Sequence, residues 1–137
     1  MDRLEATRLT ELVEQMCPAQ KINNETPAVW AGLLRDVRLV DALEAVRRLG
    51  MRQPFVSPAD IVAEVLVVRA ERLDGIDQWR GHYRGDPDDA RAEIDWWRGC
   101  IRRIGDGERH DEVFEPQQLT ARKMPALDNL FRKVPEK

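Results

Sequence analysis

The feature that most constrains this chain is a repeated helix-start signal, a short polar residue followed by proline. Thr26-Pro27, Ser57-Pro58 and Asp86-Pro87 each place a possible capping oxygen before a proline at the first helical position. Behind each signal, apolar side chains recur three and four residues apart, which is the period of an amphipathic helix. The sequence therefore predicts an all-α fold.

Five helices are predicted, approximately at residues 2–16, 27–37, 39–51, 58–74 and 87–104. The first four are expected to form a compact four-helix N-terminal domain over residues 1–75. The fourth helix is apolar on nearly all sides at its centre, Val65-Leu66-Val67-Val68, so we expect the other three to surround it. Residues 76–107 are predicted to hold a connecting segment and an additional amphipathic helix. Residues 108–137, which are polar and punctuated by proline, are predicted to be an extended, flexible tail.

Composition limits the class of protein. At 137 residues there is room for one domain with an appended helix and tail. The chain contains no apolar run near the roughly 20 residues that span a bilayer, and it begins without a signal-peptide pattern. We therefore expect a soluble, cytoplasmic protein without membrane partners. The net charge of −3 implies that any nucleic-acid binding would use a local basic patch.

Catalytic and metal-binding patterns are missing from the sequence. Cys17, His82, Cys100 and His110 are single residues on separate segments, without a pair at metal-ligand spacing. The single serine, Ser57, is explained by helix capping, and no histidine lies near it in the sequence. We expect no metal, no cofactor, no small-molecule substrate and no enzymatic activity.

Two clusters of arginines are candidates for nucleic-acid binding. Arginine beside an exposed aromatic ring can hold single-stranded DNA through phosphate contacts and base stacking. An alternative is that these arginines stabilise the C-terminal ends of their helices, where the helix dipole favours positive charge. The candidate residues lie near the ends of the third and fifth predicted helices: Arg47, Arg48, Arg52, Arg98, Arg102 and Arg103.

Candidate partner-binding residues lie in the fifth helix and in the tail. Trp97 belongs to the apolar stripe of its helix, whereas Trp96 lies about 100° away and is predicted to be on the surface. The tail contains Leu127, Leu130 and Phe131, a pattern loosely similar to peptides that bind bacterial sliding clamps. This short patch either docks on the parent domain or becomes ordered on a partner. We interpret these three tail residues and Trp96 as partner-binding.

The first 74 residues resemble a family of small phage replication proteins, the helicase loaders, also known as loader-and-inhibitor proteins. The resemblance rests on Trp30, on the run from Asp41 to Arg48, and on Ser57-Pro58-Ala59-Asp60-Ile61-Val62 leading to Arg69-Ala70-Glu71-Arg72-Leu73. It implies a compact helical N-terminal domain and a flexible C-terminal region that contacts the replicative helicase. The helix with Trp96 and Trp97 departs from the family pattern.

The resemblance makes a phage or prophage replication accessory protein our leading hypothesis. Such a protein would bind the replicative helicase, or another replication protein, as a non-enzymatic loader in the host cytoplasm. Two alternatives stay open. The arginine clusters would suit non-specific binding of DNA, including single-stranded DNA. The fifth helix, with Trp96 and Trp97, would suit inhibition of a host enzyme.

Overall fold

All regular secondary structure in the computed structural model, which describes residues 1–115, is helical. The predicted all-α fold class is confirmed for this part of the chain. Residues 116–137, and with them Leu127, Leu130 and Phe131, lie outside the described residues. The helices are α1 (Arg3–Met16), α2 (Thr26–Leu33), α3 (Leu39–Gly50), α4 (Pro58–Arg72), a 3-10 helix (Ile76–His82), α5 (Ala90–Gly105) and α6 (His110–Phe114).

The chain divides into two compact units. The N-terminal unit, Met1–Glu71, contains α1 to α4 except for the last residue of α4, and the second unit begins at Arg72. We predicted this boundary at residue 75, and the observed boundary lies four residues earlier, after Glu71. No helix within residues 1–115 has both the length and the apolar character needed to cross a membrane.

Reciprocal capping boxes begin two helices of the N-terminal unit. At α4, the Asp60 amide donates to the Ser57 hydroxyl at 3.2 Å, and the Ser57 amide donates to the Asp60 carboxylate at 3.0 Å. At α1, Asp2 and Glu5 exchange the same two hydrogen bonds, at 2.8 and 2.9 Å. The capping role predicted for Ser57 is therefore confirmed.

The other two predicted helix starts were wrong in detail. Thr26 is already the first residue of α2, and the Asn23 side chain accepts the amides of both Glu25 and Thr26. Asp86 closes a turn, and α5 begins later with Asp89 as its capping residue. In both places a neighbouring Asn or Asp side chain reaches the free amides more easily than the predicted residue.

The core of the N-terminal unit forms where α1 packs against α2 and α3. The Gln20 side chain joins the loop after α1 to the loop before α4 by two hydrogen bonds to the Val56 backbone, both 2.7 Å long. Trp30 is 7% exposed and belongs to this core. The main buried side chains are Leu9, Val13, Trp30, Leu34, Val46, Leu49, Val56, Ile61 and Val65.

Helix α4 is not surrounded by the other three helices, which corrects our prediction. Val65 and Val68 are buried as expected, but Leu66 is 65% exposed, Val67 is 47% exposed and Val62 is 39% exposed. The reason is that the central helix of the packing is α1, which contacts both α2 and α3, so only one side of α4 reaches the core. The apolar run at the centre of α4 therefore supplies both a buried side and an exposed side.

The second unit has its own small core of Cys100, Ile104 and Val113. His110 places Nε2 at 2.8 Å from the Arg72 backbone oxygen, and Arg72 donates to the Gly105 carbonyl at 2.7 Å. The prediction of a flexible tail from residue 108 is wrong for its first residues, which form α6. They fold because Val113 and Phe114 pack on α5, giving a small unit the apolar area it needs.

Replacing Trp30 by alanine should lower the free energy of unfolding by about 3–5 kcal/mol, because a large buried side chain would leave a cavity. Chemical denaturation of the full chain measures this change. The exposed Leu4 is the control, and its replacement by alanine should cost less than about 0.5 kcal/mol. Equal, small losses for both variants would contradict the assignment of Trp30 to the core.

Candidate partner-binding surface

One side of α4 is exposed and carries only apolar side chains. The six residues lie within about 140° of the helix circumference, and charged residues flank this sector without entering it. Contiguous apolar surface of this kind marks interaction sites on folded proteins. We call this surface the α4 face, and its residues are Ala59, Val62, Ala63, Leu66, Val67 and Ala70.

Ion pairs between α3, or the residues just after it, and α4 determine which side of α4 faces outward. The Arg52 guanidinium holds the Glu64 carboxylate through both oxygens, at 2.5 and 3.2 Å. Arg69 contacts Asp41 at 3.1 Å. The carboxylate side chains are 8% exposed for Glu64 and 1% exposed for Asp41. Rotating α4 about its axis would separate these pairs and leave buried charge uncompensated, which is strongly unfavourable.

Two carboxylates of α4, Asp60 and Glu64, are held in their charged form. Hydrogen bonds from Arg52 keep the pKa of Glu64 below its ordinary value, although burial opposes the shift. Hydrogen bonds from the Ser57 amide and hydroxyl likewise lower the pKa of Asp60. Both groups are therefore ionised at neutral pH, where the Arg52–Glu64 ion pair and the Ser57–Asp60 capping box are formed.

The first predicted arginine cluster does not form a free basic patch. Arg48 contacts Glu44 at 3.0 Å and Glu71 at 2.8 Å. Arg47 lies 3.8 Å from Glu44, and Arg52 is held by Glu64. Each arginine of this cluster thus has a carboxylate partner, which reduces the positive potential available to a phosphate backbone.

In the second predicted cluster, Arg102 and Arg103 lie in the last turn of α5, and Arg98 lies near the middle of the helix. Arg103 is paired with Glu108 at 2.6 Å. Arg98 and Arg102 are exposed and have no carboxylate partner within residues 1–115. The helix dipole favours positive charge in the last turn, so the alternative interpretation stays open for Arg102 and Arg103.

Trp96 lies in an aromatic cluster of the second unit rather than freely on the surface. Its ring centroid is 5.3 Å from that of Tyr83 and 5.9 Å from that of Phe114. Trp97, which we expected in the core, is also only partly buried, and Arg80 lies 5.5 Å from its ring centroid. The prediction erred because Phe114 comes from a segment assigned to the tail, and α6 brings this ring onto Trp96.

The sequence interpretation missed the α4 face, because Val62, Leu66 and Val67 were assigned to the core. The available signal was a helix whose polar positions, Glu64 and Arg69, bracket its apolar stripe instead of occupying the opposite side. Within the described residues, no group of three or more His, Cys, Asp and Glu side chains could hold a metal. Comparison of the chain with protein-family models, curated proteins and solved structures finds no match.

The lowered pKa of Glu64 predicts a loss of stability in acid. The stabilising contribution of this carboxylate is present above the ordinary glutamate pKa of about 4.3 and disappears as the pH falls through the lower folded-state value. Thermal melts between neutral pH and about pH 3 should therefore show a smaller decrease for Glu64→Gln than for the wild-type chain. Parallel curves for the two proteins would show that Glu64 does not stabilise the fold through its charge.

Proposed function

We propose that this protein is a non-enzymatic accessory factor of phage or prophage DNA replication that binds the replicative helicase through the α4 face. The observation that carries the proposal is the uncharged, exposed side of α4, which ion pairs on its two flanks hold outward. The protein would hold the helicase ring in a state ready for loading and would leave when DNA is engaged.

The α4 face has the properties of a reversible binding surface. Burying apolar area contributes about 25 cal/mol per Å², and Leu66 with its two valine neighbours presents the largest side chains on this side of the helix. The face is only about three turns long, so it cannot supply the area of an obligate interface. A loader needs such a contact, because it must release its partner.

The helicase is proposed as the partner because of the family resemblance described above. The segment Ser57–Val62, on which that resemblance partly rests, forms the cap and first turn of α4. Ala59 and Val62 of this segment belong to the α4 face. The tail residues Leu127, Leu130 and Phe131 stay a predicted second contact outside the described part of the chain.

Binding of DNA is the weaker candidate. The three arginines near the end of α3 are engaged by carboxylates. Of the second cluster, only Arg98 and Arg102 have no carboxylate partner within residues 1–115. Phosphate-driven binding would weaken steeply as salt concentration rises, whereas binding through the α4 face would change little. Titrations at low and high salt therefore distinguish the two functions.

Replacing Leu66 by glutamate should weaken helicase binding at least tenfold, about 1.4 kcal/mol, because a charge would enter the centre of an apolar contact. The measurement is titration calorimetry against the purified replicative helicase of the organism or phage that encodes the chain. Leu4→Glu is a matched control, since Leu4 and Leu66 are both 65% exposed and Leu4 lies on α1.

The control should bind the helicase as tightly as the wild-type chain, and both variants should keep the wild-type helical circular dichroism spectrum. Equal binding by all three proteins would show that the α4 face is not part of the interface with the helicase. Failure of the wild-type chain to bind the helicase, together with salt-sensitive binding of single-stranded DNA, would replace the proposed function by the DNA-binding alternative.

A further inference from the structure

Within the N-terminal unit, residues 1–71, no other helix covers the α4 face, and we propose that a second copy of this chain covers it in the free protein. In the complex the two α4 helices would pack antiparallel, related by a twofold axis. This inference concerns self-association and does not depend on the identity of any other partner.

The spacing of the exposed residues fits an antiparallel pair. Ala59, Ala63, Leu66 and Ala70 follow one another at intervals of four, three and four residues, as in a coiled-coil seam. Reversing the helix direction maps the seam onto itself, with Ala59 opposite Ala70 and Ala63 opposite Leu66. The two flanking valines exchange in the same way. A twofold interface must be self-complementary, and this residue set satisfies that requirement.

The sizes of the side chains also match across this axis. Each Leu66 would lie over Ala63 of the other copy, so that a large side chain fills the space left by a small one. The alanines at both ends of the seam would let the two helices approach closely. Leu66 is mostly exposed in the single chain and would lose this exposure in the pair.

The charges beside the α4 face permit this contact. On one flank, Glu71 is engaged by Arg48 and Glu64 by Arg52. On the other flank, Arg69 is engaged by Asp41. The remaining flanking charge, Asp60, is hydrogen-bonded by Ser57 and Gln53 and would lie opposite Arg69 of the other copy. A second copy would therefore meet no large local excess of like charge. A highly charged partner would in turn find little unpaired charge on this surface to bind.

The size of the face predicts a weak dimer. A seam from Ala59 to Ala70 is about 18 Å long. For a contact this short we expect a buried area below the ~1,200 Å² at the lower limit of stable interfaces. We therefore expect monomers and dimers to exchange rapidly, so that another protein that binds the α4 face can displace the second copy.

The first test is sedimentation velocity of the full chain from low micromolar to near-millimolar concentration. We expect a concentration-dependent shift from monomer to dimer for the wild-type chain and for Leu4→Glu. Leu66→Glu should stay monomeric throughout, while circular dichroism confirms that it is folded. A wild-type chain that is monomeric at every concentration, or equal association by the two variants, would overturn the proposal.

Cross-linking tests the antiparallel direction. Across the twofold axis, two copies of position 63 are offset by about 4.5 Å along the helices, whereas two copies of position 59 are offset by about 16 Å. Mild oxidation should therefore link Ala63→Cys chains into a disulfide dimer and leave Ala59→Cys chains unlinked. The native Cys17 and Cys100 are buried, and the unmodified chain shows whether they react. Equal linking at positions 59 and 63 would contradict the antiparallel arrangement.

These outcomes separate the inference from the proposed function. A monomeric wild-type chain whose helicase binding is lost in Leu66→Glu would refute self-association and leave helicase binding in place. A dimer that dissociates in Leu66→Glu but never binds the helicase would support self-association and refute the proposed function.

Discussion

The structure of the N-terminal unit depends on the ion pairs that hold α4 in one orientation. Arg52 donates hydrogen bonds to both carboxylate oxygens of Glu64, and Arg69 forms an ion pair with the buried Asp41. A carboxylate removed from water is costly unless it is paired and hydrogen-bonded. The inner side of α4 is thereby defined by charge as well as by Ile61, Val65 and Val68, and the opposite side is left to the solvent.

This arrangement explains how α4 can expose apolar side chains and still pack in a single orientation. Two apolar sides on one helix would allow two packings of similar energy. The buried carboxylates remove that ambiguity, because only one rotation of α4 lets Glu64 and Asp41 meet their arginines. Specifying a single packing is a known role of buried polar groups in some proteins, and here it keeps Leu66 outward and available.

Local features were predictable from the sequence and long-range ones were not. The Ser57–Asp60 capping box involves residues three positions apart, so the sequence pattern alone identified it. The exposure of Leu66 depends on contacts between residues 12 and 28 positions apart, which no local pattern encodes. The surroundings of Trp96 were missed for a similar reason, since Phe114 lies in a polar segment that gives no strong helical signal.

In the candidate site, too, local features were predictable from the sequence and long-range contacts were not. The arginines were identified correctly as clusters in the sequence, but their carboxylate partners come from other turns and other helices. Glu44 lies one turn before Arg48, whereas Glu71 comes from α4. Because these arginines are paired with carboxylates, they stabilise the packing of the neighbouring helix and are less available to bind phosphate. The α4 face could therefore be identified as the candidate site only from the folded structure, whereas the sequence indicated the arginines.

The central proposal is that the protein binds the replicative helicase through the α4 face. Hydrogen–deuterium exchange of the full chain, with and without the purified replicative helicase, tests this claim most directly. When the helicase is added, we expect slower exchange in peptides that cover α4 and unchanged exchange in α1. Slower exchange confined to α5 and α6, with α4 unaffected, would contradict it.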